Sequence, residues 1–199
     1  MSRGAAALAL FAAAVSRPGV WFNGDFESGG LEGWTWDLAR RQSAEVVTQP
    51  VRKGRCAVRI TLAPGDIAAS KERAELKIAD KEIERAHGRQ GGEMWYGWSL
   101  FIPAGFAHAP GGQFQIVGQW HHRPPEALSP RERPRVAGPP PLALRLAARR
   151  GQTVLTLVGR DSPRAEIRTH GARPVRQGAW IDLVFHIRWS TGSDGFVEA

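Results

Sequence analysis

The stretch Gln113-Phe114-Gln115-Ile116-Val117-Gly118-Gln119-Trp120-His121 decides how this chain is read. Side chains alternate faces along a strand, so Gln113, Gln115, Gln119 and His121 fall on one face with Val117 between them. Phe114, Ile116 and Trp120 share the other face with Gly118. A half-buried strand ordinarily turns short or charged residues to water, whereas a row of amides ending in a histidine suits a groove that binds sugar. Upstream, Arg73-Ala74-Glu75-Leu76-Lys77-Ile78 alternates in the same way, with Arg73, Glu75 and Lys77 opposed to Ala74, Leu76 and Ile78.

Outward from these segments the chain reads as short strands separated by turns. Ala44 to Thr48, Ala57 to Leu62 and Met94 to Ile102 are apolar or alternating runs, the last ended by Pro103. Pro64-Gly65-Asp66 is a turn leading to the Arg73 strand. Leu142 to Ala147 and Thr153 to Val158 form a hairpin around Arg149 to Gln152. Trp180 to Trp189 is the clearest late strand, with Leu183, Phe185, Ile187 and Trp189 on one face and Asp182, His186 and Arg188 on the other. The charged stretch Asp80 to Gly92, broken by Gly88, Gly91 and Gly92, reads as a surface loop. From Arg123 to Pro141 the chain carries seven prolines and four arginines, which excludes a sheet interior and marks a long loop. The pattern predicts an all-β fold, two packed antiparallel sheets in a jelly-roll sandwich of concanavalin-like type.

Composition narrows the rest. The 199 residues suffice for one domain with a real core. Arg3 followed by the apolar stretch Ala5 to Val15 has the length and charge of an export signal and is too short to span a bilayer. The expected organisation is a leader over residues 1–16 and a single domain over 20–199, secreted or periplasmic, monomeric, and free of the membrane once the leader is removed. Cys56 is the only cysteine, so no internal disulfide can form, and it reads as a small residue of a strand. Trp98, Trp180 and Trp189 read as core. The net charge of +8 favours a polyanionic partner. No nucleic-acid motif is present, and the arginines are spread through loops, so nucleic acid is not the expected partner. The histidines lack a third ligand at useful spacing, which leaves no metal site; calcium support for the fold is not indicated.

The segments Asn23-Gly24-Asp25-Phe26-Glu27, Arg73-Ala74-Glu75-Leu76, Trp95-Tyr96-Gly97-Trp98-Ser99-Leu100, Gln119-Trp120-His121, and Trp180 through Trp189 with Ser193-Asp194-Gly195-Phe196 together resemble the polysaccharide lyases of β-jelly-roll fold. The likeness is to the heparin-lyase-like family and its alginate- and glucuronan-lyase relatives. It implies cleavage of a uronic-acid-containing polysaccharide by β-elimination, with no redox or nucleotide cofactor. By the same resemblance Arg73 and Gln119 neutralise the substrate carboxylate and His121 is the general base. Glu75, Lys77, Gln115, His186 and Arg188 are the candidate substrate contacts. These lyases usually take a catalytic tyrosine from a strand near the C-terminus, whereas the sole tyrosine here, Tyr96, lies in a segment that reads as structural. Gly195 to Glu198 begins what reads as another strand just before Ala199, so a last strand and its tyrosine are expected to be missing.

Each of these residues also has a plainer reading. Arg73 and Glu75 can be a cross-strand ion pair worth about 0–1 kcal/mol on a solvated face. His121 can simply end a strand. A carbohydrate-binding protein without turnover, or an inactive lyase fragment, therefore stands beside the enzyme. A sandwich-type glycoside hydrolase ranks last, because no Glu-x-Asp-x-x-Glu strand occurs.

Overall fold

The computed structural model describes residues 5–9, 19–78, 88–121, 138–162 and 165–199. Strands are the dominant element and no α-helix occurs among the described residues, which places the protein in the all-β class. In chain order the strands are β1 (Ala5–Ala9), β2 (Thr35–Leu38), β3 (Ala44–Val47), β4 (Ala57–Thr61), β5 (Ile67–Ala68), β6 (Lys71–Glu72) and β7 (Ala74–Lys77). They continue with β8 (Glu93–Ile102), β9 (Gln115–Trp120), β10 (Leu142–Arg149), β11 (Gln152–Gly159), β12 (Arg168–Pro174), β13 (Ala179–Arg188) and β14 (Phe196–Glu198). Every pairing among them is antiparallel, as the jelly-roll class requires.

The chain divides into two compact units, Met1–Ala107 with Gln177–Ala199, and His108–Arg176. The first holds a six-stranded sheet in the order β14-β13-β8-β1-β4-β3 and the pairs β2-β7 and β5-β6. The second holds a four-stranded sheet, β12-β11-β10-β9. Ala5–Ala9, inside the stretch predicted as a leader, lies between β4 and β8 with Ala7 opposite both Arg59 and Phe101. The expected boundary at Ser16 and most of the proline-rich loop after Arg123 lie outside the described residues.

In the first unit one face of the six-stranded sheet is the core. Val58, Leu100, Ile102, Phe185 and Ile187 are buried there. Leu38 and Leu76, from the apolar side of β2-β7, pack with Ile78 against a cluster of Phe26, Trp34, Ala44 and Val58. That contact makes β2-β7 a second layer and turns its polar side away from the six-stranded sheet. Trp98 stacks on Phe185 with ring centroids 5.0 Å apart, as core packing demands. Trp180 differs from its core assignment. It pairs with Phe101 on the outward face, because β13 alternates and Ile181, Leu183 and Phe185 take the inner side.

The Asn23-to-Glu27 segment is a structural clamp. Phe26 has φ +62°, a conformation costly for a bulky side chain, and its buried ring stacks on Trp34 at 5.7 Å. The Glu27 carboxylate accepts the backbone N–H of Arg55 at 2.9 Å and of Cys56 at 3.0 Å, tying the basic turn after Arg52 to the start of β4. These bonds hold its pKa below the usual carboxylate range. Gly54 lies against that carboxylate, leaving no room for a Cβ.

In the second unit the expected hairpin is β10 and β11, in register from Leu142 opposite Gly159 to Arg149 opposite Gln152. Its two-residue turn, Arg150 at φ +50° and Gly151 at φ +78°, has the positive φ at both positions that suits the twist of the strands. Leu142, Leu144, Leu146, Leu155 and Leu157 line one buried face of this sheet.

Candidate functional site

Arg73 is set by the turn that precedes it. Asp66 donates its backbone N–H to the Ala63 carbonyl at 3.0 Å across Pro64 and Gly65, with Gly65 at φ +82°, the signature of a type II turn. The Asp66 carboxylate accepts from Ala63 N–H at 2.8 Å and from Arg40 at 2.6 Å, and its carbonyl accepts the Arg73 N–H at 3.1 Å. From there β7 pairs with β2 so that Asp37 stands directly opposite Glu75. Two carboxylates so placed repel. Arg73 resolves the repulsion by donating through Nη1 to Asp37 at 3.2 Å and to Glu75 at 3.1 Å, while Lys77 donates to Asp37 at 2.8 Å. Lys77 first, then Arg73, hold the Asp37 carboxyl below its ordinary range. The structure thus brings Arg73, Glu75 and Lys77 together as the alternation requires. It adds Asp37, whose sequence signal was the polar Thr35 and Asp37 between Trp34, Trp36 and Leu38. The four charges sum to zero.

Gln115, Gln119 and His121 lie on the second unit. β9 pairs with β10 through Gln119 opposite Ala143 and Gly118 opposite Leu144, but then Ile116, not Val117, stands opposite Arg145. Val117 is therefore the extra residue of a β-bulge, and a one-residue insertion exchanges the faces of everything before it. Gln115 pairs with Leu146 on the leucine-lined face, away from Gln119. With the amide oxygen and nitrogen oriented to suit their neighbours, it donates to the Leu146 carbonyl at 3.0 Å and accepts the Ala109 N–H at 2.8 Å, a tether for the loop before β9. The single glutamine row expected from strict alternation does not form. In its place Ile116 and Gln119 share a face with Arg145, and Phe114 joins them, its ring 3.9 Å beneath the Arg145 guanidinium. Phe114 and Ile116 are 44% and 46% exposed. His121 is exposed and follows β9 two residues after Gln119, on the same side by alternation.

His186 and Arg188 form a third group, on the outward face of β13. Arg188 pairs with Glu93 at 2.8 Å and Asp194 at 3.0 Å. His186 lies 3.3 Å from Glu93 and 3.0 Å from Glu198, under the exposed Trp95 ring at 4.1 Å. Arg188 first, then His186, lower the Glu93 pKa. Register carries these side chains to the side of the six-stranded sheet opposite the one on which β2-β7 packs, so they do not share a groove with Arg73. Tyr96 is on the inner face. Its hydroxyl accepts from Trp189 Nε1 at 2.9 Å, and burial raises its pKa, as befits a packing residue. Among the described residues no group of three or more His, Cys, Asp or Glu side chains is placed to hold a metal ion.

A sequence model of the polysaccharide lyases matches residues 26–199, spanning Arg73, Gln119, His121 and Arg145. The chain belongs to the polysaccharide lyase family. Neither a curated protein nor a solved structure matches it. As a polysaccharide lyase it has a polysaccharide as its substrate. In this lyase the Gln119 face of β9-β10 offers the features such a ligand needs, an amide, a neighbouring histidine, an exposed aromatic ring and a cation.

Proposed function

We propose that this lyase cleaves an acidic, uronic-acid-containing polysaccharide by β-elimination, of the kind performed by the heparin-lyase-like enzymes and their alginate- and glucuronan-lyase relatives. The family match across residues 26–199 carries this reading, and the polar face of β9 supports it. Elimination removes the proton beside a uronate carboxylate, spreads the resulting charge onto that carboxylate, and breaks the bond to the glycosidic oxygen one carbon away, which departs taking up a proton from the protonated base or from water and leaves a double bond behind. His121 takes the proton, and the Gln119 amide donates to the carboxylate where charge accumulates. Arg73, whose guanidinium Asp37 and Glu75 already share in the other unit, is given no part in this step.

The net charge of +8 supports an acidic over a neutral polymer. We place the action outside the cytoplasm, where such polymers occur, on the strength of the apolar N-terminal stretch. Incubation of the full chain with alginate, glucuronan, heparin-type and neutral glucans tests the reading. The expected result is a rise in ultraviolet absorbance from unsaturated uronate with an acidic polymer alone. New reducing ends without absorbance would identify a hydrolase. A second reading, binding without turnover, draws on the Arg73 cluster, whose guanidinium is already shared by two carboxylates. It predicts retention of an acidic polymer with its length unchanged.

A further inference from the structure

Arg145 is out of keeping with the rest of the chain. It interrupts an otherwise apolar run, Leu142 to Ala148, in the middle of β10, between strands β9 and β11. Arg59 is matched by Glu45, Arg73 by Asp37 and Glu75, Arg168 by Asp161 and Arg188 by Glu93 and Asp194, whereas Arg149 and Arg173, which form no ion pair with a described residue, are exposed at the ends of their strands. Arg145 forms no ion pair with any described residue. Its Nε is sealed from solvent without an acceptor, and burial first, then neighbouring Arg160, pull its pKa below that of an ordinary arginine. A sealed donor and an unmatched cation both destabilise a fold, so packing alone does not favour an arginine here.

What surrounds Arg145 fits a ligand. The Phe114 ring supports one side of the guanidinium at 3.9 Å, which restricts the planar fork and lowers the entropy lost when it grips an anion. Phe114 and Ile116 leave apolar surface open beside it. Gln119, opposite Ala143, is a diagonal neighbour on the same face, and the bulge at Val117 is what brings these side chains to one side. A uronic-acid unit has the matching parts, an apolar ring face and a carboxylate at its edge.

We infer that Arg145 and Phe114 form a subsite for one uronate unit of the polymer, Arg145 taking its carboxylate and Phe114 its ring. The subsite lies beside Gln119, and it rests on the acidic-polysaccharide reading for the identity of the ligand. The plainer alternative is that Arg145 serves only to hold the Phe114 loop.

Arg145→Gln and Phe114→Ala, compared with the unaltered chain, separate the two. The assays are steady-state kinetics on the acidic polymer that the chain cleaves, and gel retardation by that polymer and by its carboxyl-reduced form. The expected result for Arg145→Gln is a KM raised about tenfold or more with kcat held within a few-fold, the size expected for losing one charge-assisted carboxylate contact. Phe114→Ala is expected to raise KM by a smaller factor. Carboxyl reduction is expected to abolish the difference between Arg145→Gln and the unaltered chain. Thermal unfolding of Arg145→Gln is expected at or above the parent temperature.

An unchanged KM in a chain that cleaves the acidic polymer overturns the subsite and leaves the lyase reading intact. A large drop in unfolding temperature for both Arg145→Gln and Arg145→Lys overturns it in favour of the structural role. Without cleavage, retardation by the acidic polymer that Arg145→Gln abolishes upholds the subsite while the lyase reading fails. Equal retardation of both proteins, or of neither, overturns the subsite.

Discussion

Arg73, just before β7, and Arg145, within β10, are both partly buried arginines, and their surroundings are opposite. Around Arg73 the first unit supplies Asp37 and Glu75, with Lys77 completing a balanced set. Around Arg145 the second unit supplies an aromatic ring, a leucine-rich strand and Arg160. A guanidinium shared by two carboxylates is held in place, and its charge is largely spent within the protein. One with no carboxylate partner among the described residues keeps its charge for a ligand. The proposed roles follow this difference, a structural one for the first setting and capture of anionic substrate for the second.

The comparison breaks most sharply at His121, the proposed base. His121→Ala is expected to lower kcat by about 10²–10⁴-fold, the range for a lost acid–base group, with unfolding temperature held. Retained turnover would remove the second unit from the proton transfer. Next comes Arg73→Ala, which leaves Asp37 facing Glu75 with Lys77 alone between them. Chemical denaturation is expected to show a loss of about 1–2 kcal/mol, the scale of charged hydrogen bonds at half-exposed sites. Arg145→Met is expected to move the other way, gaining up to about 1 kcal/mol because a sealed donor is removed. Opposite signs for these two substitutions sharpen the contrast, and equal losses break it.

A smaller effect separates the sites by pH. The Asp37 pKa is lowered in the folded chain, so the ion-pair contribution is fully present above the ordinary aspartate range and is lost as pH falls through the lowered folded value. Asp37→Asn is expected to flatten the acid side of the stability curve, read as unfolding temperature against pH. Arg145→Met is expected to leave that side unchanged.

Much of the fold was legible because burial writes itself into alternation. Trp180 to Trp189 sorted Phe185 and Ile187 from His186 and Arg188, and the β10-β11 hairpin followed from two apolar runs around Arg150-Gly151. The Arg73 face was legible for the same reason, since β7 is regular. The β9 face was not. A bulge leaves no mark in a pattern of alternate residues, so Gln115 was read onto the wrong side and Phe114 onto the side away from Gln119. Arg145 did leave a signal, one charge inside an apolar strand, which hairpin reasoning passed over. His186 and Arg188 show the converse limit, since a polar face identifies neither the side of a sheet nor the carboxylates waiting there.

The measurement closest to the central claim is the mass of the new chain ends after cleavage of an acidic polysaccharide in water enriched in heavy oxygen. Elimination breaks the glycosidic bond without adding water. The expected product carries at its new non-reducing end an unsaturated uronate that has lost its glycosidic oxygen and gained none from solvent. A saturated uronate at the new non-reducing end, or a polymer left uncut, would contradict the account.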